Sequence, residues 1–207
     1  MKHPYIYLLF FLLFQPITFT GQIDILNSND DTTDISTTDF NGPYIIYRNN
    51  SAIIKQVLKG TNGFYVKTDS TDKNIKGRSI TCNINESLSF ATQLKDTLIN
   101  ERCVFEIPEK LIAISDIEGN FAAFRDFLIN NGVINTGNQW VFGNGHLVLV
   151  GDFFDRGLNV TECLWFIYHL EQEAVKNGGY VHFILGNHEI PNMNDDIRYV
   201  RKKYFET

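Results

Sequence analysis

Basic surface is scarce in this chain of 207 residues. Lys and Arg number 18 against 24 Asp and Glu, for a formal net charge of −6. The longest basic run is Arg201-Lys202-Lys203. A nucleic-acid backbone needs a basic surface, so sequence-independent nucleic-acid binding is excluded. The short run reads as a solvated terminal helix turn. Cysteine is also sparse. Cys82, Cys103 and Cys163 form no Cys-x-x-Cys pair, which excludes a zinc knuckle, and an odd count leaves at least one thiol outside any intrachain bridge. Cys163 lies in an apolar helical stretch and reads as core, while pairing of Cys82 with Cys103 stays open. A membrane-spanning helix needs about 20 apolar residues. Tyr5–Phe14 supplies ten, and no internal repeat occurs.

What is present is the composition of a globular protein, 43% hydrophobic and 14% aromatic. Lys2 and His3 precede the apolar run, Pro16 breaks it, and Thr18, Thr20 and Gly21 follow. This is the pattern of a secretory leader over 1–21, with cleavage near Thr20 or Gly21 and an exported product, periplasmic or extracellular. Residues 22–42, rich in Asp, Thr, Ser and Asn, read as a flexible linker. Residues 43–110 hold short β-like runs at Tyr44–Tyr47, Ala52–Leu58, Phe64–Lys67 and Ser79–Ile84, separated by Asn and Gly clusters. They predict a small β-rich module without chemistry of its own.

From Leu111 onward the pattern changes to strands alternating with helices, the logic of a layered α/β domain over 111–207. Phe121, Phe124, Phe127 and Leu128 recur at helical spacing, and Gly132 stops that helix. Gln139–Phe142 and His146–Val150, around Gly143-Asn144-Gly145, predict a hairpin. Asn159 and Glu162 resemble a capping box for a helix that Gly178 ends. Three parallel strands make a small sheet where five or six are usual, so further strands are expected beyond Thr207.

Three blocks carry the chemistry. Ser115-Asp116-Ile117-Glu118-Gly119-Asn120, Gly151-Asp152-Phe153-Phe154-Asp155-Arg156-Gly157 and Gly186-Asn187-His188-Glu189 each follow an apolar run that reads as a buried strand: Leu111–Ser115, Leu147–Val150 and Val181–Leu185. Ligand sites in open α/β sheets lie just past the carboxyl ends of strands. Asp116 and Glu118, two apart, can turn both carboxylates to one side and chelate a hard cation, or can serve only as helix-capping acids. A carboxylate at the end of a buried strand, as at Asp152, is costly unless paired or metal-bound. Arg156 has the planar fork that matches phosphate oxygens, though an Asp155–Arg156 salt bridge in the turn would also fit. Asn187 offers a neutral oxygen to a cation. His188 can donate a proton to a leaving oxygen, oriented by Asp155. The other histidines have blander readings: His3 in the leader, His146 starting a strand, His169 exposed on a helix and His182 within a strand.

Together the blocks resemble the calcineurin-like metallophosphoesterase superfamily, whose pattern is Asp-x-His-Gly-Asn/Asp, Gly-Asp-x-x-Asp-Arg-Gly and Gly-Asn-His-Glu/Asp. The Asp155-Arg156-Gly157 form is most similar to the phosphoprotein-phosphatase branch, which includes the Shewanella-like phosphatases. The resemblance covers about Leu111–Ile190. It implies a phosphatase acting on phosphate monoesters of a small ester, nucleotide or phosphoprotein. It implies two divalent ions, with Mn favoured and Fe, Zn or Mg as alternatives. Asp116 and Asp152 would hold the first ion, and Asp152 with Asn187 the second. His188, Asp155 and Arg156 would form the catalytic set. Two departures stand out. Glu118 replaces the family's His and would ligate through oxygen. No His follows His188, so the second ion lacks its downstream ligands. The competing expectation is therefore a non-catalytic metal- or phosphate-binding relic.

Overall fold

The computed structural model of the chain describes residues 5–7, 39–48, 51–71, 75 and 77–206. The expected leader over 1–21 lies outside the described residues apart from Tyr5–Tyr7. So does the expected linker up to residue 38. Residues 40–42, read as linker, belong to a strand.

Ten strands and four helices follow in chain order among the described residues. β1 (Tyr5–Tyr7) pairs antiparallel with β7 (Val104–Glu106). β2 (Phe40–Arg48), β3 (Ser51–Gly60) and β4 (Gly63–Thr71) form an antiparallel meander. β5 (Ser79–Asn83) and β6 (Ser89–Gln93) form a second hairpin. The sheet beneath the three blocks is parallel, in the order β10 (Tyr180–Ile184), β9 (His146–Val150), β8 (Leu111–Ile114). Its helices are α1 (Phe121–Asn130) and α2 (Val160–Lys176), followed by the short α3 (Glu189–Met193) and α4 (Lys203–Glu206).

The four strands expected between 43 and 110 form, and β6 and β7 join them. In β6 the inward positions are Phe90 and Thr92, both buried. A threonine in place of the second apolar residue hides the alternation from sequence. β7 has three residues, too few for a pattern.

The expected hairpin at 139–150 does not form. Both edges of β9 are taken by parallel partners, Ala113 and His182 flanking Val148. Residues 139–142 reach only an isolated bridge, Ile134 to Trp140. Both helix ends match expectation. At α1, Gly132 has φ 67° and its N–H donates to Ile129, while the Val133 N–H donates to Leu128 at 2.9 Å. At α2, Gly178 has φ 79°, and the Gly179 N–H donates to Ala174 at 2.8 Å. This is the Schellman closure, in which glycine takes the left-handed position.

One face of the parallel sheet is dry. Leu147, Leu149 and Val181 pack with Phe121, Phe124, Leu128, Phe166 and Leu170 from the two helices. Cys82 and Phe90 of the β5–β6 hairpin belong to the same cluster. The described cysteines are all free thiols, Cys82 and Cys163 buried and Cys103 exposed. Polar contacts also join the β-rich segment to α2. The Trp165 indole donates to the Pro43 carbonyl at 2.8 Å, and Gln172 donates to Thr92 and Gln93 at 3.0 Å each. His169, read as exposed, is half-buried instead, its ring against Phe90 and Phe166.

Candidate active site

The parallel register brings the three strand ends to one edge. Ile114 stands opposite Leu149, and Ile184 opposite Val150, so the loops after β8, β9 and β10 leave side by side. Backbone bonds then join the first loop to the second. The Asp116 N–H donates to Gly151 at 3.2 Å, Glu118 to Asp152 at 3.0 Å and Gly119 to Phe153 at 3.0 Å. Glycines let the loops approach this closely. A Cβ at Gly151 would stand 2.4 Å from the Gly186 Cα, and one at Gly157 would stand 2.1 Å from the Glu118 carbonyl oxygen.

The backbone is strained where the chemistry is expected. Asp116, Glu118, Asp152, Asp155 and Arg156 are five of seven non-glycine residues with positive φ among those described. Such positions cost about 1–3 kcal/mol each and persist where the surroundings hold them, typically at functional sites.

Glu189 holds the second loop. Its carboxylate accepts the backbone N–H groups of Asp152 (2.9 Å), Phe153 (2.7 Å), Phe154 (3.0 Å) and Gly186 (2.6 Å). Burial pushes its pKa up, but the four donors outweigh that and hold it below the ordinary carboxylate range.

Asp155 and His188 form a buried pair. His188 Nδ1 lies 2.7 Å from Asp155 Oδ2, with residue exposures of 7% and 4%. A carboxylate accepts there, so Nδ1 carries the hydrogen and Nε2 faces the site. Asn192 donates to both Asp155 oxygens, at 2.9 and 3.0 Å, and to the His188 carbonyl at 3.0 Å. The Tyr199 ring packs against the imidazole, centroids 5.5 Å apart. A largely apolar cavity of about 640 Å³ lies beside Asp155 and Asn192, walled by Phe154, Tyr44 and Trp165. The catalytic trio expected from sequence is therefore assembled, with Arg156 Nη2 3.5 Å from His188 Nε2.

The expected metal ligands are less fully assembled. The His188 N–H donates to Asp152 Oδ1 at 2.9 Å, and the Glu118 carboxylate is paired with Arg156. Among the described residues no three His, Cys, Asp or Glu side chains converge as a metal-holding group. Asp116, Asp152 and Asn187 remain as oxygen donors on one edge, a chemistry that fits one hard divalent cation. No spare imidazole joins them. His146 stands at the opposite end of β9, bonded to His182, which in turn bonds Glu101.

The two helix starts nearby differ in their caps. Asn120 caps α1, accepting the Ala123 N–H at 3.1 Å. Asn159 occupies the corresponding place at α2 without a side-chain cap, and its N–H donates instead to Gly119 at 3.1 Å. The capping box does not close, because the Asn159 N–H that Glu162 would accept is already given to Gly119; Glu162 lies buried beside Lys203, 3.5 Å away.

Residues 109–207 match the family model described as calcineurin-like phosphoesterase. The chain is 40% identical over 102 residues to Shewanella-like protein phosphatase 2 of Arabidopsis thaliana, covering 49% of this chain and 26% of that one. It is 36% identical over 97 residues to Shewanella-like protein phosphatase 1 of Plasmodium berghei, covering 47% and 27%. It also superimposes on the cold-active protein-tyrosine phosphatase of a psychrophilic Shewanella species, with TM-score 0.64 and 30% identity, over 81% of this chain and 49% of that one. The chain thus spans about a quarter of the curated relatives and about half of the solved structure. The structural match at 81% exceeds the family segment, so it reaches into the β-rich strands before residue 109.

Proposed function

We propose that the chain carries the catalytic edge of a metal-dependent hydrolase of phosphate monoesters. The observation that carries this is the buried Asp155–His188 pair with Arg156 beside its free nitrogen. Arg156 would hold phosphoryl oxygens through its planar fork. His188, protonated at Nε2, would deliver a proton to the leaving oxygen. Asp155, fixed by Asn192, would set the imidazole's tautomer and steady its charge. A divalent ion on Asp116, Asp152 and Asn187 would act as a Lewis acid on the phosphoryl oxygens. Hard oxygen donors suit Mn or Mg over softer ions, and Mn is the ion the test uses. The phosphatase names of the relatives favour a phosphorylated protein side chain as substrate. The apolar run at Tyr5–Phe14 supports export, which predicts a mature N-terminus near Thr20 or Gly21 by mass spectrometry.

The test is Mn-dependent hydrolysis of an aryl phosphate. Asp152→Asn should abolish it, and activity unchanged in that variant would defeat the proposal. A second reading, a phosphate-binding protein without turnover, is favoured by the incomplete metal grouping. Turnover at high Mn, read together with metal stoichiometry, separates the two. Two ions per chain contradict the second reading, and one ion at most with no turnover at high Mn supports it.

A further inference from the structure

Glu118 stands where the family pattern has His, and the structure gives its carboxylate a particular partner. It forms an ion pair with Arg156 Nη1. The same guanidinium approaches the His188 Nε2 with its other terminal nitrogen. The arginine is therefore held on one side by an acid and faces the proton donor on the other. We infer that Glu118 is a latch on Arg156: its carboxylate occupies the guanidinium when no phosphate is bound, and competes with product phosphate to release it. This rests on the reading of Arg156 as the phosphate-holding group.

Three observations carry the inference. First, neither partner can drift away. The Glu118 N–H is bonded to Asp152 at 3.0 Å, and its carbonyl is packed against Gly157. The Arg156 N–H is bonded to Tyr199 at 3.2 Å. The two side chains spring from loops zipped to each other, so the carboxylate is always presented to the arginine at high effective concentration. Second, the pair is asymmetrically exposed, with side-chain accessibilities of 20% for Glu118 and 57% for Arg156. The open arginine face can be taken by an anion from solvent. Third, a partly exposed ion pair is individually weak. A phosphate, with more charge and several oxygens, can displace the carboxylate. Once the ester is cleaved, the tethered carboxylate can reclaim the arginine. Glu118 so placed serves the arginine rather than a metal ion.

The experiment is calorimetric titration of the full chain with inorganic phosphate, at fixed pH and with Mg present. Glu118→Gln should bind phosphate about tenfold more tightly, while its Mg affinity stays within about twofold of wild type. Glu118→Asp keeps the charge but shortens the reach, and should show most of the same gain. With Arg156→Ala as background, the effect of Glu118→Gln should shrink to that of a diffuse charge, about twofold. Weaker phosphate binding in Glu118→Gln would overturn the latch and make Glu118 a support for the arginine. Loss of Mg affinity would overturn it in favour of a metal ligand. Phosphate affinity unchanged by Arg156→Ala would defeat the assignment of Arg156 itself, a failure separate from that of the latch.

Discussion

Asp152 reaches the active edge because Glu189 folds the turn that carries it. Four backbone N–H groups converge on one buried carboxylate, which leaves none of them orphaned. Glu189→Gln keeps the shape but turns an N–H₂ toward donors. It should cost about 1.5–3 kcal/mol in urea unfolding, the scale of hydrogen bonds to a charged group. Asn192 plays the comparable part for Asp155. Asn192→Ala should lower turnover about 10–100-fold with substrate KM little changed, the usual effect of removing a group that orients a catalytic one. Neither role was legible in the sequence. Asp116, Asp152, Asp155, Arg156, Asn187 and His188 announced themselves by residue type just past apolar strands. Glu189 sat within its motif without an evident task, because its partners are backbone groups. Asn192 has no signal at all: its link to Asp155 spans 37 positions and exists only once α3 turns back over the second loop. The metal expectation was limited for a similar reason. Spacing says that Asp116 and Glu118 share a side, but it does not say that Arg156 will claim one of them.

At the scale of elements, the parallel sheet and its two helices followed from periodicity and glycine punctuation, and the loops followed from close packing that periodicity does not encode. Gly151 shows both constraints. Its φ is 72°, and the space its side chain would need is filled by Gly186. Gly151→Ala should therefore destabilise the chain by about 1–3 kcal/mol, the range for forced overpacking, and loosen the joint between the ends of β9 and β10. The hairpin expected at 139–150 failed for a related reason. Turn glycines mark a chain reversal, but a strand's partners are chosen by burial, and β9 is worth more in the middle of a parallel sheet. Two histidines, His169 of α2 and His146 of β9, add a pH dependence. Burial lowers the His169 pKa below its ordinary 6.5, and burial with the neighbouring His182 lowers that of His146. In both cases the unfolded chain binds the proton more readily. The stability they contribute is complete above pH 6.5 and is lost as pH falls through the depressed folded values. Urea midpoints should drop between pH 7.5 and 5, and His169→Leu should flatten part of that slope. A slope identical to wild type would remove His169 from the account.

At the scale of the whole molecule, the division into a β-rich module and an α/β domain, natural in the sequence, does not survive as a division of the core. Cys82 and Phe90 pack within the same cluster as Phe121 and Phe166. On its outer side α2 is bonded to two of the antiparallel units, the β2–β3–β4 meander and the β5–β6 hairpin with the segment after it, through Trp165 to Pro43, Tyr168 to Lys95 and Gln172 to Thr92. A helix so enclosed cannot keep its packing if either neighbour opens, so the two regions should unfold together. The two tryptophans of the chain are well placed to show it. Trp165 sits at the junction with the β-rich strands. Trp140 is 4% exposed within the α/β layers, its indole donating to Gly143 at 2.8 Å. Trp140→Phe leaves a probe of the junction, and Trp165→Phe leaves a probe of the layers. Each substitution shifts stability by its own amount, so fluorescence from each variant is compared with circular dichroism of the same variant. Coincident urea transitions within both variants are expected for a single cooperative unit. A Trp165 signal that changes before the helical signal would mean that the β-rich strands detach first. In that case the loops at the parallel sheet edge, and the site they build, would stand without them.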